Sequence, residues 1–248
     1  MKTLLILGGT GEALELAERC AQSMDLRIIT ALAGRTHDPV TAAGELRRGG
    51  FGGSRGLARY LRREQVDVVI DATHPFAGQI SAHVADACAA LALPLLHLVR
   101  PPWIAEPQDR WYPVADAQAA AGLLSELGQR VFYAAGHKDV DYFINLPSLH
   151  FIVRLIEPPE PPLGLISYEL ILERGPFRIK DELDLLNRYR IDTIVCKNSG
   201  GAGGYGKLAA ARVLRIPVVM IERPALSLGP SVASVPDALD WLKSKRSI

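Results

Sequence analysis

Several stretches of this 248-residue chain hold residue types whose spacing could do chemistry. In ILGGTGEALELA, residues Gly8, Gly9 and Gly11 stand between a short apolar run and a helical pattern, with Thr10 among them and Glu12 directly after. Glycine lets the backbone pass close to a diphosphate, and the N–H groups of the first helical turn then bind its charge. The pattern departs from G-x-G-x-x-G because Leu14 fills the last position. Glu12 sets a carboxylate beside the phosphate site, which is unfavourable unless it turns to a ribose or to backbone donors. The stretch reads as a dinucleotide loop, and the plainer alternative is a tight turn with no ligand.

The run LRIIT ends in ALAGRTHD, with no carboxylate at the tip where an NAD-binding fold holds the ribose hydroxyls. Gly34 and Arg35 are there instead, and a guanidinium at that place can pair with a 2′-phosphate. The expected cofactor is therefore NADPH rather than NADH. GGFGGS, residues 49–54, brings Gly53 and Ser54 as further backbone donors for the adenosine phosphate, although flexible linkage explains the run equally well. DATHPFA puts Thr73, His74 and Pro75 at the end of another apolar run, where His74 could donate a hydrogen bond or a proton. Lys197, followed by Asn198 and Ser199, is a natural clamp for a carboxylate or phosphate, against the plainer reading of a solvated surface lysine. His74 and Lys197 are thus the candidate catalytic side chains. No His, Cys, Asp and Glu spacing suggests a metal.

Two patterns point to chemistry the chain does not carry. GAGGYGKL, residues 201–208, nearly spells a P-loop, but Leu208 replaces the Ser or Thr that would ligate magnesium. No tyrosine has lysine four residues on: His137 follows Tyr133, Leu146 follows Tyr142 and Leu172 follows Tyr168, which disfavours short-chain dehydrogenases.

Short apolar runs alternate with helical patterns, as βαβ units require. Leu4–Leu7, Leu26–Thr30, Val66–Ile70 and Leu95–Val99 read as strands, with helices over Glu12–Ala21 and Gln79–Ala92. VDVVI and PLLHLV are continuously apolar, which fits parallel strands buried on both faces. RPPWIAEPQDRWYPV cannot continue a sheet and reads as a stiff crossover. A second series follows, with strands at Val131–Ala134, Phe151–Leu155, Thr193–Cys196 and Val218–Ile221. The fold class is α/β: two Rossmann-like parallel-sheet domains, 1–104 and 105–248, with an active-site cleft between them. Residues 67–101 and 192–224 echo each other, with Asp67 answering Asp192, Pro94 answering Pro217, and Arg100–Pro101 answering Arg223–Pro224. Val114, Asp116 and Ala117 similarly answer Val235, Asp237 and Ala238, which would allow the terminal helix, Asp237–Lys245, to return to the first domain.

Lys plus Arg total 28 against 27 Asp plus Glu, so the overall field gives no reason to expect a nucleic-acid partner. Cys20, Cys88 and Cys196 sit in apolar contexts that suit burial in a reducing cytoplasm. The N-terminal run is too short for a signal peptide, and Ala87–Val99 is too short and contains Pro94, so no membrane span is expected.

LILGGTGEA, DATHPFA, ERGPF at Glu173–Phe177 and KNSGGAGGYGKLAAARVLRIPVVMIERP together resemble the precorrin-6A reductase family of cobalamin (corrin-ring) biosynthesis. The matches span both halves of the chain. The resemblance implies an NADPH-dependent oxidoreductase that transfers hydride to a conjugated C=C bond of a macrocycle, giving precorrin-6B, with a proton added at the neighbouring carbon. The substrate is a tetrapyrrole-derived polycarboxylate, so local cations should gather despite the near-neutral total. Phe76, Arg100, Lys197, Asn198, Ser199 and Arg223 are the residues expected to meet it. No side chain is expected to be an indispensable acid, because orientation of the reactants carries most of such a reaction. The same resemblance leaves metal-free and cobalt-loaded substrates open. A monomer is the working expectation, and a nucleotide sensor without turnover is the reading from another class.

Overall fold

The computed structural model describes residues 1–23, 25–32, 43–224 and 229–245. In chain order its elements are β1 (Lys2–Leu7), α1 (Gly11–Ser23), β2 (Leu26–Leu32), β3 (Glu45–Arg48), α2 (Gly53–Arg63), β4 (Val68–Asp71), α3 (Gly78–Leu91) and β5 (Leu95–Leu98). There follow β6 (Trp111–Val114), α4 (Ala117–Leu127), β7 (Arg130–Ala134), a 3-10 turn (Val140–Phe143), β8 (His150–Leu155), β9 (Tyr168–Leu172) and α5 (Ile179–Arg188). The chain ends through β10 (Thr193–Lys197), α6 (Gly206–Leu214), β11 (Val218–Ile221), β12 (Ser231–Val232) and α7 (Val235–Ser244).

Two compact units result. One comprises Met1–Pro101 with Ala225–Ile248, the other Pro102–Pro224. The N-terminal segment of the first stops just short of the expected 104. The second is shorter than the expected 105–248, because the C-terminal segment belongs to the first unit. Val235, Ala238, Leu239 and Leu242 of α7 are buried in the same core as Leu4, Ile6 and the apolar face of α1.

The first unit is a six-stranded sheet in the order β3-β2-β1-β4-β5-β12. Every pairing is parallel, which is the 3-2-1-4-5-6 arrangement of dinucleotide-binding folds. Side chains of a strand alternate between its faces, so Leu4 and Ile6 meet α1 and α7 while Leu5 and Leu7 meet α2 and α3. This is why LLIL shows no polar alternation.

The second sheet runs β9-β8-β7-β10-β11-β6 and is also wholly parallel. Its β7, β8, β9, β10 and β11 take the places that β1 to β5 take in the first. The sixth places are exchanged: the strand and helix that follow β5, namely β6 and α4, complete the second sheet, whereas β12 and α7, which follow β11, complete the first. The repeat extends to details. Gln65 and Arg190 share φ of 50, and Ala92 and Arg215, which cap α3 and α6, have φ of 52 and 56. Asp67 accepts from Thr3 N at the start of β1, and Asp192 accepts from Gln129 N and Arg130 N at the start of β7.

The segment expected to be only a stiff crossover contains β6, whose Pro113 lies opposite Met220. Proline lacks a donor, but β6 is an edge strand, where the missing N–H removes no ladder bond. GGFGGS is likewise not simple linkage: it closes the turn after β3 and opens α2, with Gly52 and Gly53 at φ of 77 and 79.

Candidate functional site

In the first unit the strand order reverses between β1 and β4, and ligands of open α/β sheets bind where such a reversal meets the carboxyl ends of the strands. The glycine loop lies there. An added Cβ on Gly8 would stand 3.2 Å from Leu32 and Thr30 side chains, so Gly8 serves close packing. Gly9 has φ of +115, and a Cβ on Gly9 or Gly11 would meet nothing within 4 Å. Among the described residues, the space at these two glycines is therefore open, as close approach of a diphosphate would need. Thr10 Oγ1 accepts from Ala13 N at 3.2 Å and donates to Ala72 O at 2.8 Å, which caps α1 and ties the glycine loop to the loop after β4. The amides of Gly11 and Glu12, in the first turn, have no acceptor within the helix. The carboxylate of Glu12 accepts from Arg100 at 2.9 Å. That ion pair offsets the negative charge beside the glycine loop, and it places Arg100, expected on the substrate, against that loop.

Beside this loop, Asp71 is 3% exposed at the end of β4. Its Oδ1 accepts from Thr73 N at 3.1 Å and Thr73 Oγ1 at 2.6 Å, and its Oδ2 faces His97 Nδ1 at 3.1 Å. Burial pushes this carboxyl up, but hydrogen bonds from His97, Ser81 and Thr73 together outweigh burial and leave it below its ordinary range. His74 Nδ1 accepts from Phe76 N at 3.3 Å. The His74 and Phe76 rings lie 5.8 Å apart, and Pro75 sits between them in the chain. At the far side, Gly49 N donates to Leu32 O. Arg47 donates to Gly49 O and to Gly50 O and lies 3.8 Å over the Phe51 ring. Gly53 and Ser54 form the head of α2, which has no side-chain cap. Gly34 and Arg35 lie outside the described residues.

The corresponding edge of the second unit is built differently. Where α1 follows β1, a single 3-10 turn follows β7, so the second unit has no long helix whose dipole could hold a diphosphate there. Lys197 Nζ donates to Asp139 at 2.6 Å. Asn198 is committed to Trp103: its Oδ1 accepts from Trp103 N at 2.8 Å and its Nδ2 donates to Trp103 O at 3.2 Å. Arg223 donates to Asn198 O and Ser199 O at 2.7 and 2.8 Å. Lys197, Asn198, Ser199 and Arg223 are thus brought together, with Asn198 and Arg223 shaping the loop. The P-loop-like lysine is turned inward: Lys207 is buried, donates to Gly204 O at 2.7 Å and lies 4.9 Å from the Trp103 ring. Burial lowers its pKa.

Among the described residues no group of three or more His, Cys, Asp or Glu could hold a metal ion, and no helix is long and apolar enough to cross a membrane.

A family model described as precorrin-6x reductase CbiJ/CobK matches residues 3–243. The chain belongs to the precorrin-6x reductase family. A relative from Rhodococcus erythropolis named precorrin-6A reductase is 45% identical over 245 residues, covering 98% of each chain. A relative from Methanothermobacter thermautotrophicus named cobalt-precorrin-6A reductase is 28% identical over 241 residues, covering 91% of this chain and 78% of that one. A solved structure titled CobK precorrin-6A reductase superposes with a TM-score of 0.94 at 43% identity, covering 98% of this chain and 97% of the other.

Membership of a precorrin-6x reductase family makes the chain a reductase, and the geometry around the glycine loop brings in residues that local patterns left unmarked. Arg47 and Arg48 directly precede the GGFGGS run, and basic residues before a glycine-rich turn are a signal that could have found Arg47. Asp71 and His97 had no such signal, because their contact depends on strand register.

Proposed function

We propose that this chain reduces precorrin-6A to precorrin-6B with NADPH. The observation that carries the reading is the glycine loop at the switch point of a 3-2-1-4-5-6 sheet, running into a full helix, where the sister sheet has the same strand order but only one helical turn. When bound, NADPH would supply a hydride to one carbon of a macrocycle C=C bond and water a proton to its neighbour, so that hydride and proton together add two electrons and two hydrogens across the bond. Gly8 to Gly11 and the first amides of α1 hold the diphosphate. Arg100 keeps Glu12 neutralised there, and the Thr73–His74–Pro75 loop contacts the cofactor, with Phe76 offering an apolar ring to the macrocycle. Gly34, Arg35, Gly53 and Ser54 are assigned to the adenosine phosphates. In the second unit Lys197 and Ser199 are assigned to substrate carboxylates, on a loop shaped by Asn198 and Arg223. The substrate is metal-free, since the relative named for it is more similar than the relative named for the cobalt form. Three free, buried cysteines support a cytoplasmic location.

Purified protein mixed with precorrin-6A and NADPH should lose the near-ultraviolet absorbance of the reduced nicotinamide as the corrinoid spectrum changes, faster than with cobalt-precorrin-6A. NADPH binding without turnover would support a sensor instead. Arg35→Ala should weaken NADPH more than NADH by roughly the 1.5 to 3 kcal/mol of a charged hydrogen bond; an unchanged preference would remove Arg35 from the 2′-phosphate.

A further inference from the structure

The two sheets hold a matched pair of positions with opposed chemistry. Asp71 on β4 stands in register with His97 on β5, and their side chains are 3% and 7% exposed. On the sister strands the same register brings together Cys196 and Met220, with Cys196 Sγ donating to Met220 Sδ at 3.8 Å. Burying a carboxylate is costly unless hydrogen bonds replace its water. The second sheet shows that this architecture closes the place with two soft, weakly polar sulfur side chains. Packing therefore does not require Asp71 and His97.

The second carboxylate oxygen supplies a reason for keeping them. Oδ1 takes both the backbone N–H and the hydroxyl of Thr73, while Thr10 holds the carbonyl of Ala72, one residue earlier. Asp71 thus fixes the start of the loop that continues into His74 and Pro75. His97 braces Asp71 from β5, and its own N–H donates to Pro230 O beside β12 at 3.0 Å. Ser81 and Cys88 of α3 are the other groups facing the carboxylate. At the position matching Thr73 the second unit has Asn198, whose side chain grips Trp103 instead. The polar pair occurs in the unit with the glycine loop.

We propose that Asp71, oriented by His97, is a positioning residue that presents the Thr73–His74–Pro75 loop to the bound cofactor and so sets the orientation of the hydride donor. The inference rests on the reading of that loop as contacting NADPH.

Full-length wild type, Asp71→Asn and the double variant Asp71→Cys/His97→Met, which installs the sister pair, are compared for kcat, NADPH binding by fluorescence, and Tm. Both variants should keep NADPH affinity within roughly threefold while kcat falls roughly tenfold or more, since an ångström of misplacement can cost about 100-fold. The double variant should melt no lower than wild type. Met220→Leu, the control in the sister pair, should move Tm and leave kcat alone. A folded Asp71→Asn or double variant with kcat within about twofold of wild type overturns the proposal while the reductase reading stands. If wild type itself binds NADPH and does not turn over precorrin-6A, the functional reading falls, and this inference with it.

Discussion

Arg154 on β8 shows how one buried charge organises its surroundings. Its guanidinium pairs with both oxygens of Glu182 on α5 and lies 3.6 Å over the ring of Phe177. Phe177 N in turn donates to Gly203 O, so the ERGPF segment braces the loop that begins at Ser199. Lys207 is buried close by, and Glu182 is an anion that favours its charged form, against burial and Arg154. Removing that anion leaves buried Arg154 with the more distant, half-exposed Glu173 at 3.7 Å and takes a favourable charge from Lys207. Glu182→Gln should therefore destabilise the protein by about 3 to 5 kcal/mol in denaturant unfolding, and a loss under about 1 kcal/mol would show that the cluster is better solvated than its burial implies. Asp71 makes a pH prediction. Its folded pKa lies below the ordinary 3.8, so the stability it adds is present above that value and is lost as pH falls through it toward the folded value. Asp71→Asn should flatten the acid limb of a Tm-against-pH curve, whereas an unchanged limb would show that other carboxylates govern it.

At the scale of elements, two glycines do different work. Gly9 takes a φ of +115 with open space around it, so Gly9→Ala should cost about 1 to 2 kcal/mol through backbone strain and should weaken NADPH binding. Gly56 on α2 is a packing glycine, because a Cβ there would stand 1.7 Å from the Phe51 carbonyl oxygen. Gly56→Ala must push α2 away from the turn after β3, and should destabilise by at least roughly 2 kcal/mol in thermal unfolding; a near-neutral result would mean that the turn yields easily. The glycine loop was legible in the sequence because a strand, a turn and a helix N-terminus are consecutive there. β3 and α2 were not, since ELRR has no apolar run and the glycines that follow suggest linkage. Tertiary pairing with β2, from Ile29–Glu45 to Leu32–Arg48, overrides that weak local preference.

For the whole molecule, the exchange of sixth strands makes the first unit depend on chain that follows the second in sequence, whereas the second is one continuous segment. The first unit takes four buried side chains of α7 into its core. Residues 1–101 expressed alone should lack a cooperative thermal transition, and adding a peptide of residues 225–248 should restore one. Cooperative folding of 1–101 unaided would show that β12 and α7 are dispensable to that core.

The sequence by itself determined the alternation of strands and helices, the glycine turn that opens the first unit, the repeat between its two halves and the family resemblance, because each of these is written in consecutive residues or in their period. Tertiary structure decided what joins distant positions. Glu12 meets Arg100 across 88 residues and Asn198 meets Trp103 across 95. The terminal helix joins the first sheet, and a proline-rich crossover supplies an edge strand. Local periodicity says which face of a strand is buried. Which strand lies beside it, and therefore which side chains meet at the strand ends, follows only from closing the sheet.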